Sequence, residues 1–172
     1  MERFEVKRGF VKQITADGGL SALAGRYFEN VEADGENAFN ASHDIMTSII
    51  GHFSQKGALI IDVTNVPPNF DDADAMVRAR DTRKRWTTFL DEATGYNSKQ
   101  RGDKAKEWAK KATKAKSAIS SARHFMNMTD NLSDDIIAQV ESLIAEIEAA
   151  LADEDNTRAA GRGEKLNKLL SA

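Results

Sequence analysis

Apolar residues recur along this chain with two different periods, and the change from one to the other divides it. From Arg3 to Thr15 the pattern is short and alternating: Phe4 and Val6 precede Arg8-Gly9, and Phe10, Val11 and Ile14 follow. Alternation broken by a glycine predicts two short strands joined as a β-hairpin. After Gly18-Gly19, the residues Leu20, Leu23, Ala24, Tyr27, Phe28 and Val31 fall at helical spacing, which predicts a helix over 20–31 ended by Asp34-Gly35. Phe39, Met46, Ile49, Ile50 and Phe53 lie at steps that a helix over 38–53 would bring to one side. Ala58 to Val63 is short, β-branched and preceded by Gly57, the signature of an inner strand. The rigid Val66-Pro67-Pro68 cannot continue a sheet and is expected to be a joint.

Beyond the joint the period is helical. A helix is expected from Asp71-Asp72, whose carboxylates suit a helix start, to about Ala93 before Gly95. Its inner face reads Met76, Ala79, Arg83, Trp86, Leu90 and Ala93. A second helix, over 103–127, places Ala105, Trp108, Ala112, Ala115, Ile119, Ala122 and Met126 at alternating steps of three and four. The third, over 133–152, has Ser133 as its N-cap and Ile136, Val140, Leu143, Ile147 and Ala150 as its seam. Short linkers favour antiparallel neighbours. The predicted architecture is therefore a helix-rich α+β chain: a small mixed unit at 1–66 holding a hairpin, two helices and one inner strand, an antiparallel three-helix bundle at 70–152, and a mobile basic tail at 153–172 with a short amphipathic helix.

Composition narrows the chemistry. Of 172 residues, 41% are apolar and 30% charged, values that suit a folded core. The absence of cysteine excludes disulfides, thiolate metal sites and cysteine nucleophiles. No apolar run exceeds four residues, the length of Ala58 to Ile61, and the first twelve residues are rich in charge, so neither a membrane span nor a secretory signal is expected and a cytoplasmic location is the default.

The net charge of −3 conceals blocks. Residues 78–129 carry 14 basic and 5 acidic side chains, whereas 130–155 carry no basic and 9 acidic ones. Two readings follow. In the first, the basic block forms a surface for a phosphate backbone, bound without regard to sequence: Arg78, Arg80, Lys84 and Arg85 on one helix, Lys99 and Arg101 after it, and Lys106, Lys110 and Lys114 as a ridge opposite the alanine seam. In the second, the acidic helix neutralises the basic one, with Lys104 and Lys111 flanking one seam and Glu141, Glu148 and Asp155 the other. An antiparallel pair would then set Lys104 near Glu148 or Asp155, and Lys111 near Glu141 or Glu148.

Catalytic signals are thin. Gly18-Gly19 lacks the Lys-Ser/Thr partner of a phosphate loop. Asp62 emerges from an apolar strand, and Asp71, Asp72 and Asp74 crowd a helix start, but strand-end hydrogen bonding and helix capping explain these positions more simply than a metal-dependent active site. The three histidines show no ligand spacing, and there is no convincing Ser-His-Asp set. Trp86 and Trp108 read as core anchors. No catalytic residue, metal or cofactor is expected. The favoured function is a non-enzymatic interaction or assembly module that binds a protein partner or a second copy, with nucleic-acid binding through residues 78–116 as the alternative and no membrane partner.

Overall fold

The structure is a computed structural model and describes residues 1–171. The chain is α+β, as its patterning predicts, and forms two compact units, Met1–Lys104 and Ala105–Ala172.

In the first unit, five antiparallel strands form a sheet in the order β1-β5-β4-β3-β2: β1 (Glu2–Phe4), β2 (Glu29–Ala33), β3 (Ala38–His43), β4 (Met46–Phe53) and β5 (Leu59–Asn65). Helices α1 (Phe10–Ala16), α2 (Gly19–Ala24) and α3 (Ala73–Thr94) contribute to a core on one face of it. Phe39, Ile49, Leu59 and Ile61 supply the strand side of that core, and Leu20, Leu23, Phe89 and Leu90 the helix side. Phe89 is its centre: its ring lies 4.9 Å from that of Phe28 and 5.8 Å from that of Phe39, both edge-on. A Cβ at Gly51 would fall 2.6 Å from the Phe39 ring, so the glycine lets that ring cross β4. On the other face, the cross-strand row Asn40, Ile50 and Asp62 is exposed.

Three expected elements are corrected here. Residues 38–53 form the β3–β4 hairpin and not a helix: Phe39 and Ala41 on β3, and Ile49 and Gly51 on β4, alternate inward, and the same apolar positions happen to satisfy helical spacing. The expected hairpin at 3–15 is instead β1, which pairs with β5, followed by α1. The expected helix at 20–31 stops at Ala24, and Tyr27 and Phe28 lead into β2.

The bundle is also differently composed. Helix α3 packs on the sheet through Phe89, Leu90 and Ala93, and the second unit is built from α4 (Ser98–Met128, from Ala105 onward), α5 (Asp134–Ala152) and α6 (Asn156–Ser171). Lys111 meets Thr157 and Lys114 meets Glu164, so α4 and α6 run parallel, while Arg123 meets Glu148 and α5 runs antiparallel to α4. The tail expected to be mobile is thus a helix, with Ala159, Ala160 and Leu166 buried. Its Gly163 is a contact point: a Cβ there would stand 3.1 Å from that of Ala118. Val66-Pro67-Pro68 connects β5 to α3 inside the first unit rather than dividing the chain. Prolines mark a stiff connection, but the boundary follows which faces pack together.

Candidate functional site: a groove beside the β5 edge

The sheet is unevenly matched at one margin. β1 covers β5 for three residues, with Glu2 opposite Ile61, Arg3 opposite Ile60 and Phe4 opposite Leu59. β5 runs on to Asn65, so from Val63 to Asn65 its β4 side is paired while its outer side has no strand among the described residues. Unpaired strand backbone retains its hydrogen-bonding capacity. At the junction, the N-terminal amino group of Met1 lies 3.0 Å from an Asp62 carboxylate oxygen.

Beside this open edge is a groove of about 510 Å³. Ile61, Val63 and Met46 line its sheet side, Thr82, Arg83 and Trp86 its α3 side, and Val66, Pro67, Pro68 and Phe70 the connection between them. The two prolines hold that connection extended, because each ring restricts its own backbone and that of the preceding residue. Phe70 is 72% exposed and Val66 50%, a large apolar area to leave in water. Arg83, the residue that interrupts the expected apolar seam of α3, is exposed at the groove wall. Thr82 is buried and its hydroxyl donates to Asp44 Oδ2 at 3.1 Å. Trp86 is a partly buried wall residue packed against the core.

The predicted site residues divide between the two units. On α3, Arg78, Arg80, Lys84 and Arg85 are exposed, and Arg78 lies 3.9 Å from Asp72. Lys84 and Arg85 join Arg26 around a hollow of about 360 Å³ that also includes Asp81. Lys99 pairs with Asp103 at 3.3 Å. Arg101 is corrected from a surface contact to a structural residue: it is buried, donates to the Asp91 carboxylate and the Tyr96 carbonyl, and reaches Ser98 Oγ at 3.0 Å, which fixes the α3–α4 turn. In the second unit Lys106 and Lys110 are exposed, whereas Lys114 is held by Glu164 at 2.6 Å. That hydrogen bond, then the lysine charge, holds the Glu164 carboxyl below its usual range.

The expected pairing of Lys111 with Glu141 or Glu148 is corrected as well. Glu148 accepts from Arg123 at 2.7 Å, and Lys111 approaches Glu107 on its own helix at 3.3 Å and Thr157 on α6 at 3.2 Å. Arg123 lies about 18 Å further along α4 than Lys111, too far for both to share one acid. Glu141 is exposed on α5, and Asp155 accepts from the Arg158 amide at 3.0 Å, capping α6. Lys104 is half-buried at the end of the first unit.

The remaining candidates occupy structural positions. Asp72 caps α3, accepting from the Asp74 amide at 2.9 Å. His43 and His52 lie on adjacent strands, at opposite ends of the β3–β4 hairpin. His43 Nδ1 is 3.8 Å from a Glu29 oxygen. Tyr27 donates to Glu92 at 2.5 Å, and burial followed by that bond pushes its hydroxyl up to about 12. Among the described residues no group of three or more histidine and acidic side chains is placed to hold a metal ion, and no helix is long and apolar enough to cross a membrane.

Sequence reasoning missed the groove. The available signal was Val66-Pro67-Pro68-Asn69-Phe70, a connection that retains bulky apolar residues where solvated loops carry polar ones.

Comparison with curated proteins and with solved structures finds no match. A family model does match, over residues 1–107, and so covers the first unit and the whole groove. On that match the chain belongs to the family described as a domain of unknown function, DUF5611.

Proposed function

We propose that the chain is a protein-interaction module acting without catalysis, and that the groove beside β5 is its binding surface. One observation carries this reading: exposed Val66 and Phe70 flank a concave, largely apolar channel that runs along strand backbone with no strand on its outer side among the described residues. Solvent-exposed apolar side chains of this size gain by being covered, and an open strand edge offers directional hydrogen bonds to whatever covers them. The lack of cysteine accords with a cytoplasmic setting.

The test is selection of random displayed peptides on the wild-type chain and on the Val66→Asp, Phe70→Asp double variant. Both positions are exposed, so the fold is expected to survive, with circular dichroism as the check. Peptides should enrich on the wild type and fail on the variant. Equal enrichment on both would remove the groove from the reading, and no enrichment together with a strictly monomeric chain in light scattering would end it.

A second reading, sequence-independent nucleic-acid binding, is favoured by the convergence of Arg26, Lys84 and Arg85 on one hollow. It requires that Lys84→Gln with Arg85→Gln weaken binding to any duplex and flatten its salt dependence. Absence of binding by the wild type at low salt would dispose of it.

A further inference from the structure

One histidine of the first unit is mostly buried and unsatisfied. His43 closes β3 where the chain turns into β4, and its side chain is 15% exposed. Its Nδ1 is buried and has no hydrogen-bond partner among the described residues. A buried polar atom in this state is costly. A Glu29 carboxylate oxygen stands 3.8 Å from it, just beyond hydrogen-bond reach. The Glu29 side chain is 70% exposed, so no packing prevents a small rotation toward the ring.

Glu29 opens β2, at the margin of the sheet. It is paired with Ser42, next to His43, and Asn30 Nδ2 donates to Ser42 Oγ at 3.0 Å. The ladder then shifts register before Glu32. A marginal strand with an interrupted ladder opens more easily than strands inside the sheet.

Charges from every packed element face the ring. Glu29 comes from β2, Asp44 from the β3–β4 turn, and Arg78, Asp81 and Arg85 from α3, all lining one hollow of about 330 Å³ with His43. The carboxylates favour a charged imidazole and the guanidiniums oppose it. Arg78 is drawn toward Asp72, 3.9 Å away, which weakens its opposition. The Phe28 ring, 6.5 Å from that of His43, adds no charge. With a bare Nδ1 the neutral ring turns a lone pair toward the Glu29 carboxylate, whereas in the charged ring both nitrogens donate.

We propose that His43 is a pH-sensitive catch on β2: protonated, it donates from Nδ1 to Glu29 and fastens the start of the strand to the β3–β4 turn, and neutral, it releases it. Imidazole changes charge between about pH 5 and 8, a range in which ordinary carboxylates remain ionised. The catch therefore closes on acidification and opens as pH rises. It is independent of what the groove beside β5 binds.

Hydrogen exchange of the β2 amides, referred to those of β4 in the same sheet, reads the catch. Nitrogen NMR of the His43 ring reads its charge, with exposed His52 and His124 as references. From about pH 8 down to about pH 5.5, the relative protection of β2 should rise about threefold, the size expected of a partly exposed ion pair. Glu29→Gln, at an exposed position, should abolish the rise while circular dichroism stays unchanged. An equal rise in Glu29→Gln, a flat or falling profile in the wild type, or a His43 ring still neutral at the acid end would each overturn the proposal.

Discussion

The two units solve the problem of burying a core in opposite ways. The first relies on large rings that meet across long sequence separations: Phe28, Phe39 and Phe89 come from a loop, a strand and a helix. The second relies on small residues. Ala115, Ala118, Ala122, Ala150 and Ala159 bring three helices close, and pairs such as Arg123–Glu148, Arg162–Glu146 and Lys114–Glu164 tie their flanks. Large rings fill space from a few positions and leave irregular margins, whereas alanine-lined helices close along their length. The margin of the first unit is where the groove lies.

Cutting the middle of the aromatic core should give the largest effect. Phe89→Ala removes a fully buried ring, and a loss of ~3–5 kcal/mol is expected. Denaturation followed at Trp86 in a Trp108→Phe background should show it. The same substitution followed at Trp108, with Trp86→Phe, should move that midpoint much less, and equal shifts would mean that the two cores unfold as one. Gly163→Leu is the counterpart in the second unit. It forces a side chain against Ala118 and should cost ~1–3 kcal/mol by overpacking, with the larger shift now at Trp108.

Helix caps offer a matched pair of smaller perturbations. Asp72→Ala and Ser133→Ala each remove a side-chain acceptor from a helix start, one in each unit, and each should cost about 1 kcal/mol. If either is silent in chemical denaturation, that helix start is held by packing alone.

Titration should separate the units with the smallest energies. Tyr27 has its pKa raised on folding, so its contribution is complete below the ordinary value of 10.0 and is lost as pH rises toward about 12. In a Tyr96→Phe background its absorbance should titrate late, and Glu92→Gln should bring the transition down. Glu164 shifts the other way. Its lowered pKa contributes stability above the ordinary carboxylate value of 4.5, lost as pH falls through the folded value. Glu164→Gln should therefore approach wild-type stability in acid and in high salt, because the Lys114 pair is solvent-exposed. A difference that persists in acid would assign the glutamate a role other than pairing.

Legibility in the sequence followed the range of the interactions. α3 and α5 were readable because their signals are local: Asp72 and Ser133 as caps, and apolar residues recurring at helical steps. Residues 38–53 misled because Phe39, Ile49 and Phe53 satisfy two periods at once, and the choice between them was made by pairing to Leu59 and Ile61 on β5, outside the window. Gly163 is a poor helix former by propensity, yet it is what lets α6 approach Ala118. Arg101 looked like any surface cation until the α3–α4 turn folded Asp91 and the Tyr96 carbonyl around it.

What the order of residues determined alone was the α+β class, the positions of the long helices, the caps at Asp72 and Ser133, and a chemistry without thiols. Tertiary structure decided which surface covers each apolar face. It sent α3 to the sheet, drew α6 into the bundle, and set Trp86 and Phe70 around a groove. The physical reason is that periodicity records that a face must be buried, while the identity of its cover depends on contacts between residues far apart in sequence.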